Sequence, residues 1–303
     1  MNSLAAVFLH EWRRSLTPGR IVWWLLMCLF PIAVSMLIRF RADVELDSNQ
    51  PLASAAEIQT SETLRTNRQS SAMGSDQSDS QGPDEEQRRA IRDGLWSVFL
   101  YVMIPCLSSA LGVLLTAGPA VASELEQRSW VYLATRPNGI VWLLLGKFLV
   151  AFTWGYSSAM IALTGAIAFV SVSSRFAVWW PMALLSGLSC LAYSGAFLLV
   201  GAIFPKRAMV FSIMYMAIVE VVLGSMPAMV NRLTVQYRLR SLMLRWLELN
   251  EPTQEFPRLN SVIGSDPAWL HVVWLFGLTT VYFAIAQLIV HKREFTTASE
   301  GDL

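Results

Sequence analysis

Ile140-Val141-Trp142-Leu143-Leu144-Leu145-Gly146-Lys147-Phe148-Leu149-Val150-Ala151-Phe152-Thr153-Trp154-Gly155-Tyr156 opens an apolar run that continues to Val172, and Lys147 is its single charge. About 20 such residues suffice to cross the hydrocarbon core as a helix. A charge costs kilocalories there, whereas leucine and phenylalanine are favourable. Five more stretches follow the same pattern: Ile21–Ile38, Leu95–Ala122, Val178–Phe204, Ala208–Val230 and Ala268–Val290. The expected fold is therefore all-α, a single polytopic membrane domain of six spans with both termini on one side. The second and third runs exceed one simple crossing, which predicts tilt or extension past the membrane.

Composition agrees. The 303 residues are 54% hydrophobic and 15% charged, with mean hydropathy +0.45; soluble domains carry about 25% charged residues. A net charge of +1 gives no footing for nucleic acid. Cys28, Cys106 and Cys190 sit inside apolar runs without paired spacing, which predicts small buried hydrophobes rather than disulfides or zinc ligands. The first span has a basic flank, Arg13, Arg14 and Arg20, but ends at Ile38-Arg39-Phe40-Arg41 with no small-x-small site, so a retained anchor is expected.

Orientation follows from the short connections. Ser123–Gly139 holds Arg128 and Arg136, and Pro205–Arg207 holds Lys206 and Arg207, whereas Ser173–Ala177 holds only Arg175. This places both termini in the cytoplasm. The long connections carry further arginines, but long loops translocate largely regardless of charge. Of these, residues 42–87 are rich in Ser, Gln, Asp and Glu and are expected to be disordered, with Glu85–Asp93 a charged helical lead into the second span. In the other, 231–267, Val235, Leu239, Leu242, Trp246 and Leu249 recur at helical spacing among Arg238, Arg240 and Arg245. They predict a basic amphipathic helix, either lying on the outer membrane face or packed as a lid on the spans.

Chemistry-bearing patterns are few. No phosphate-loop pattern, no H-E-x-x-H and no G-x-S-x-G occurs, so neither catalytic nor metal residues are assigned. Glu220 is the one acid inside an apolar span. Either it contacts substrate or protons along a pathway, or it is a protonated or hydrogen-bonded structural carboxyl at a helix seam. Ala151, Gly155 and Ala159, with Ala162 and Ala166, form small-residue repeats suited to close helix packing, within the chain in preference to a dimer seam. Pro31, Pro105 and Pro119 predict kinks or breaks in the first two spans.

Between the second and third spans, Ser123-Glu124-Leu125-Glu126-Gln127-Arg128-Ser129-Trp130-Val131-Tyr132-Leu133 reads as a short helix with a serine cap and acids in its first turn, ended by Pro137-Asn138-Gly139. The pattern Glu124-x-Glu126-x-Arg128-Ser129-Trp130-x-x-Leu133-x-x-x-Pro137, followed by Gly146-Lys147, resembles the signature of permeases of the type 2 ABC exporter (ABC-2 transporter) family. Arg128 stands where that family usually has Gly, and Trp130 where it usually has Leu. Phe8-Leu9-His10-Glu11-Trp12-Arg13-Arg14, within residues 1–20, resembles the family's amphipathic helix ahead of the first span.

The resemblance implies a bacterial inner-membrane permease that exports an unidentified substrate. It implies a coupling helix (Glu124, Glu126, Arg128, Trp130, Leu133, Pro137) docked on a separate ABC-type ATPase, and a second permease copy or paralogue. No cofactor is expected on this chain, since ATP and Mg belong to the ATPase; membrane lipid is a partner, nucleic acid is not. The alternative is a non-transporting scaffold or regulatory anchor for such an ATPase; an intramembrane enzyme lacks a convergent catalytic set.

Overall fold

The computed structural model describes residues 3–41, 83–126, 139–170, 172, 174–224, 229–247 and 266–292. Among them every regular element is helical. α1 is Ser3–Ser15, and α2, Pro18–Arg41, is the first long apolar helix. The second is composite. α3 (Pro83–Tyr101) passes into a π-helical segment, Val102–Ser108, and then α4 (Ser109–Ala117); α5 (Ala120–Glu126) follows the Gly118-Pro119 turn. α6 (Gly139–Phe169) and α7 (Arg175–Ile203) are the central helices. A 3₁₀ turn, Pro205–Arg207, leads to α8 (Ala208–Tyr215) and a second π segment, Met216–Leu223. Then come a 3₁₀ turn, Met229–Leu233, α9 (Val235–Trp246) and α10 (Ala268–Lys292).

Among the described residues five helices are long and apolar enough to cross a membrane: Pro18–Arg41, Ile91–Glu124, Gly139–Phe169, Arg175–Ile203 and Ala268–Lys292. At 1.5 Å per residue α6 is about 46 Å long and α7 about 43 Å, beyond the ~30 Å hydrocarbon core. The stretch expected as the fifth of six spans, Ala208–Val230, is shorter as a helix. It runs through α8 and its π segment and stops at Gly224. Residues 225–228 lie outside the described set, as does most of the loop expected to be disordered; its last residues belong to α3, which begins at Pro83.

The prolines act differently. Pro105 lies inside the π segment, where the widened turn accommodates a residue with no N–H. Its carbonyl accepts a hydrogen bond from Ser189 Oγ of α7. Pro119 sits at the break before α5, and Pro31 lies within the uninterrupted α2.

α4, α6 and α7 converge on glycines. A Cβ on Gly112 would lie 3.1 Å from Gly155 Cα, and one on Gly155 would lie 2.4 Å from Val113 Cγ2 and 3.2 Å from Cys190 Sγ. Ala151, Ala159, Ala162 and Ala166 are buried in the same chain, so the small-residue stripe serves intramolecular packing. α2 and α10 flank this core and leave Val22, Leu26, Phe30, Val273, Phe276 and Leu288 exposed, as a surface meant for lipid does. Val290 near the end of α10 packs with Leu144 and Val121, while Val7 of α1 meets Gly146. The described ends of the first and last helices therefore share one side of the bundle.

Candidate functional site

Two polar clusters are built into this apolar bundle, one at an end of its central helices and one partway along them. The first begins at α5. The expected start at a Ser123 cap is displaced: Ser123 N–H already donates to Pro119 O at 3.0 Å, and its Oγ bonds back to Ala120 O at 3.0 Å. Proline is pre-set for the first helical turn and has no N–H to leave unsatisfied there, so the helix starts at the Gly118-Pro119 break and Ser123 lies within it.

One turn further, Glu124 points into the protein. Lys147 Nζ lies 2.9 Å from Glu124 Oε1 and 3.0 Å from Glu11 Oε2, and Arg14 donates to the same Glu124 oxygen. Arg14 also reaches Ser123 O at 3.3 Å. Glu11, Glu124 and Lys147 are 8%, 2% and 6% exposed. Charges so far from water persist only when paired, and among the described residues two carboxylates here meet two cations. The hub thus fastens three elements, α1, α5 and α6. Gly146 makes it possible: a Cβ there would lie 2.7 Å from Val7 Cγ1, so only a glycine lets α1 lie this close. Trp154 Nε1 donates to Ser15 Oγ at 2.7 Å and completes the seam.

Of the residues assigned to a coupling helix, Glu124 is part of this internal hub. Glu126 is the last residue of α5, and Arg128, Trp130, Leu133 and Pro137 lie outside the described residues. The hub joins the two helices that flank that segment. Glu11 and Arg14 belong to the N-terminal stretch whose resemblance was noted, but their pairing with Glu124 and Lys147, 110 to 136 residues away, had no sequence signal.

The second cluster surrounds Glu220, which is 3% exposed. Its Oε2 accepts the backbone N–H of Gln236 at 2.9 Å; its Oε1 accepts that of Val235 at 3.4 Å and the hydroxyl of Tyr215 at 3.2 Å. The carboxylate therefore sits on the first turn of α9, where unpaired N–H groups and the helix dipole favour a negative charge. Thr234 Oγ1 takes the next N–H, from Tyr237, at 3.2 Å. The Gln236 side chain donates to Tyr193 OH at 2.7 Å and accepts from Tyr101 OH at 3.0 Å and Cys106 Sγ at 2.8 Å. Tyr282 OH lies 3.3 Å from Tyr215 OH.

α9 is correspondingly buried. Val235, Tyr237, Arg238, Leu239, Leu242 and Met243 are all covered, and the helix packs on α7 and α10. Of the two placements open from the sequence, it takes the one packed among the spans. Its first turn reaches Tyr193, about 15 Å along α7 from Ile203 at 1.5 Å per residue. Non-helical backbone at such depth is tolerated where protein buries it. Arg238 anchors the same turn: it donates to Arg232 O at 3.0 Å, lies 3.4 Å from Asp266 and 3.1 Å from His271 Nδ1, and covers the Trp274 ring at 5.1 Å. Sequence reading found Glu220 but missed Gln236, Tyr193, Tyr215 and Tyr101. Their only signal was a hydrogen-bonding group inside or beside an apolar run.

The bundle of membrane-length helices agrees with the match of a family model. The model is described as ABC-2 family transporter protein, and it covers residues 5–295. The chain belongs to the ABC-2 transporter family. This ABC-2 family protein is an integral membrane protein, and its family consists of transport membrane subunits that generally work with an ABC ATPase. Among curated proteins and solved structures, none matches the chain.

Proposed function

We propose that this chain is the permease subunit of an ATP-driven exporter, which moves its substrate outward through a pathway completed by a second permease copy or a paralogue. A separate ATPase docks on the segment between α5 and α6, with Glu126, Arg128, Trp130, Leu133 and Pro137 as its contacts; ATP and magnesium belong to that partner. The hub end faces the cytoplasm of a bacterial inner membrane, in keeping with the basic residues of the short connections on that side.

The observation that carries this reading is the buried hub of Glu11, Arg14, Glu124 and Lys147. ATP can bias the permease only if one arrangement of the spans is favoured by the nucleotide-bound partner. That preference has to travel through a stiff connection. The hub clamps both helices flanking the docking segment to each other and to α1, so a displacement of the segment moves them together. Glu124 then serves to transmit rather than to touch the ATPase. Glu220 belongs to the pathway partway across the membrane, through α9, whose first turn it holds.

The test is reconstitution with the ATPase encoded alongside. Trp130→Ala and Leu133→Ala are expected to abolish its co-purification while leaving the permease folded. Retained association in both variants defeats the docking assignment. ATP turnover without any substrate-dependent response in sealed vesicles supports a scaffold instead.

A further inference from the structure

The hub leaves one cation over. Beside it a cleft of about 250 Å³ opens between α1, the start of α2, α4–α5 and α6, lined among others by Glu11, Arg14, Thr17, Arg20, Thr116 and Lys147. Arg14 and Lys147 are committed to Glu11 and Glu124. Arg20 has no hydrogen bond and no ion pair within 4 Å among the described residues. Its charged neighbours are Arg14, which repels it, and Glu11, which already serves Lys147. Among the described residues, three cations thus share two carboxylates, and a half-buried arginine with no carboxylate of its own lines an open cleft.

The surroundings narrow what could meet that charge. The volume is below the about 300–1,000 Å³ of pockets that hold drug-sized ligands, so a headgroup fits and a large solute does not. Directly beyond Arg20, Ile21, Val22 and Trp23 are exposed on α2, continuous with its lipid-facing surface. Polar lining and apolar wall therefore meet at one edge, the profile of a molecule with an anionic head and apolar tails. Basic pockets between membrane helices are suited to such headgroups.

We propose that this cleft binds the phosphate headgroup of an anionic glycerophospholipid, with Arg20 as its charge partner, Thr17 as a further donor, and the acyl chains lying along α2. The site stands independently of the export reading and needs only that the chain spans a membrane. Occupancy neutralises the surplus charge beside the hub and so stabilises the joint between α1 and α2.

The test uses the full chain, delipidated in detergent, with thermal stability read against added phosphatidylglycerol, phosphatidylcholine or inorganic phosphate. Phosphatidylglycerol is expected to raise the melting temperature saturably, and phosphatidylcholine to leave it near baseline. Arg20→Gln should weaken the apparent phosphatidylglycerol affinity about tenfold, the loss of one charge-assisted contact. Arg20→Lys and Arg13→Gln, the latter removing an exposed cation from the same end, should stay close to wild type. An unchanged affinity in Arg20→Gln, or an equal loss in Arg13→Gln, overturns the site. Equal stabilisation by phosphatidylcholine removes the charge recognition, and equal stabilisation by inorganic phosphate removes the lipid. Those two comparisons use wild-type protein alone, so they decide the matter even if Arg20→Gln does not fold.

Discussion

The carboxylate of Glu220 accepts the backbone N–H of Gln236 at 2.9 Å, so the one acid buried in an apolar run is tied to the first turn of a helix inserted among the spans. An isolated carboxylate in this setting would be costly. Here its lone pairs are met by two backbone amides and a tyrosine hydroxyl, and α9 gains the acceptor that its N-terminus lacks.

Glu220→Gln keeps the size of the side chain but offers one carbonyl acceptor in place of two carboxylate oxygens. The expected outcome is a folded protein destabilised by about 1–2 kcal/mol, with impaired transport. Hydrogen exchange at the Val235 and Gln236 amides should accelerate selectively. Wild-type exchange at both amides together with wild-type transport would show that the bond carries no weight.

Lys147→Met removes the cation shared by Glu11 and Glu124 and leaves two buried carboxylates with Arg14 alone. Breaking such a cluster costs about 3–5 kcal/mol, visible as a large drop in melting temperature in detergent. Adding Glu11→Gln to Lys147→Met should restore much of the loss, because Arg14 and Glu124 then remain as one matched pair. A double variant no better than the single one would mean that the cost lies in packing.

Gly155 and Gly201 predict different responses to the same methyl group. At Gly155 the obstruction is the Val113 side chain, so Gly155→Ala should cost about 1–3 kcal/mol and be partly relieved by Val113→Ala. At Gly201 a Cβ would lie 2.6 Å from Gly118 O, a backbone atom at the turn before α5. No side-chain truncation should rescue Gly201→Ala. Thermal stability of the two singles and the double mutant checks both statements.

Arg238→Lys keeps a charge but loses the planar fork that reaches Arg232 O, Asp266 and the Trp274 face together. A loss of about 1–2 kcal/mol is expected, with residues 229–247 becoming more susceptible to limited proteolysis than the rest of the chain. Unchanged proteolysis there would remove Arg238 from the anchoring of α9.

Much of the architecture was legible because membrane insertion is written in composition. The first, second, third, fourth and last expected spans each correspond to a long helix, with ends within a few residues of those read from the apolar runs. The periodicity of Val235, Leu239, Leu242 and Trp246 likewise announced α9. Its position was not legible, since a basic amphipathic pattern looks the same on a membrane surface and in a protein groove. The short stretch after Pro119 was expected to begin at a serine cap; the proline, with no N–H to satisfy, starts the helix earlier instead.

By itself, then, the sequence determined that this is an all-helical membrane protein, that Glu124 through Lys147 resembles one family's signature, and that Glu220 is out of place in its run. Hydrocarbon admits no unsatisfied backbone, and that constraint acts on each segment separately. Only the tertiary structure decided what the charges do. Glu124 and Lys147 turn inward to Glu11 and Arg14, and Glu220 closes the end of α9. Pairing a buried charge requires a partner within about 4 Å in space, and residues more than a hundred positions apart meet at that distance only once the helices have packed.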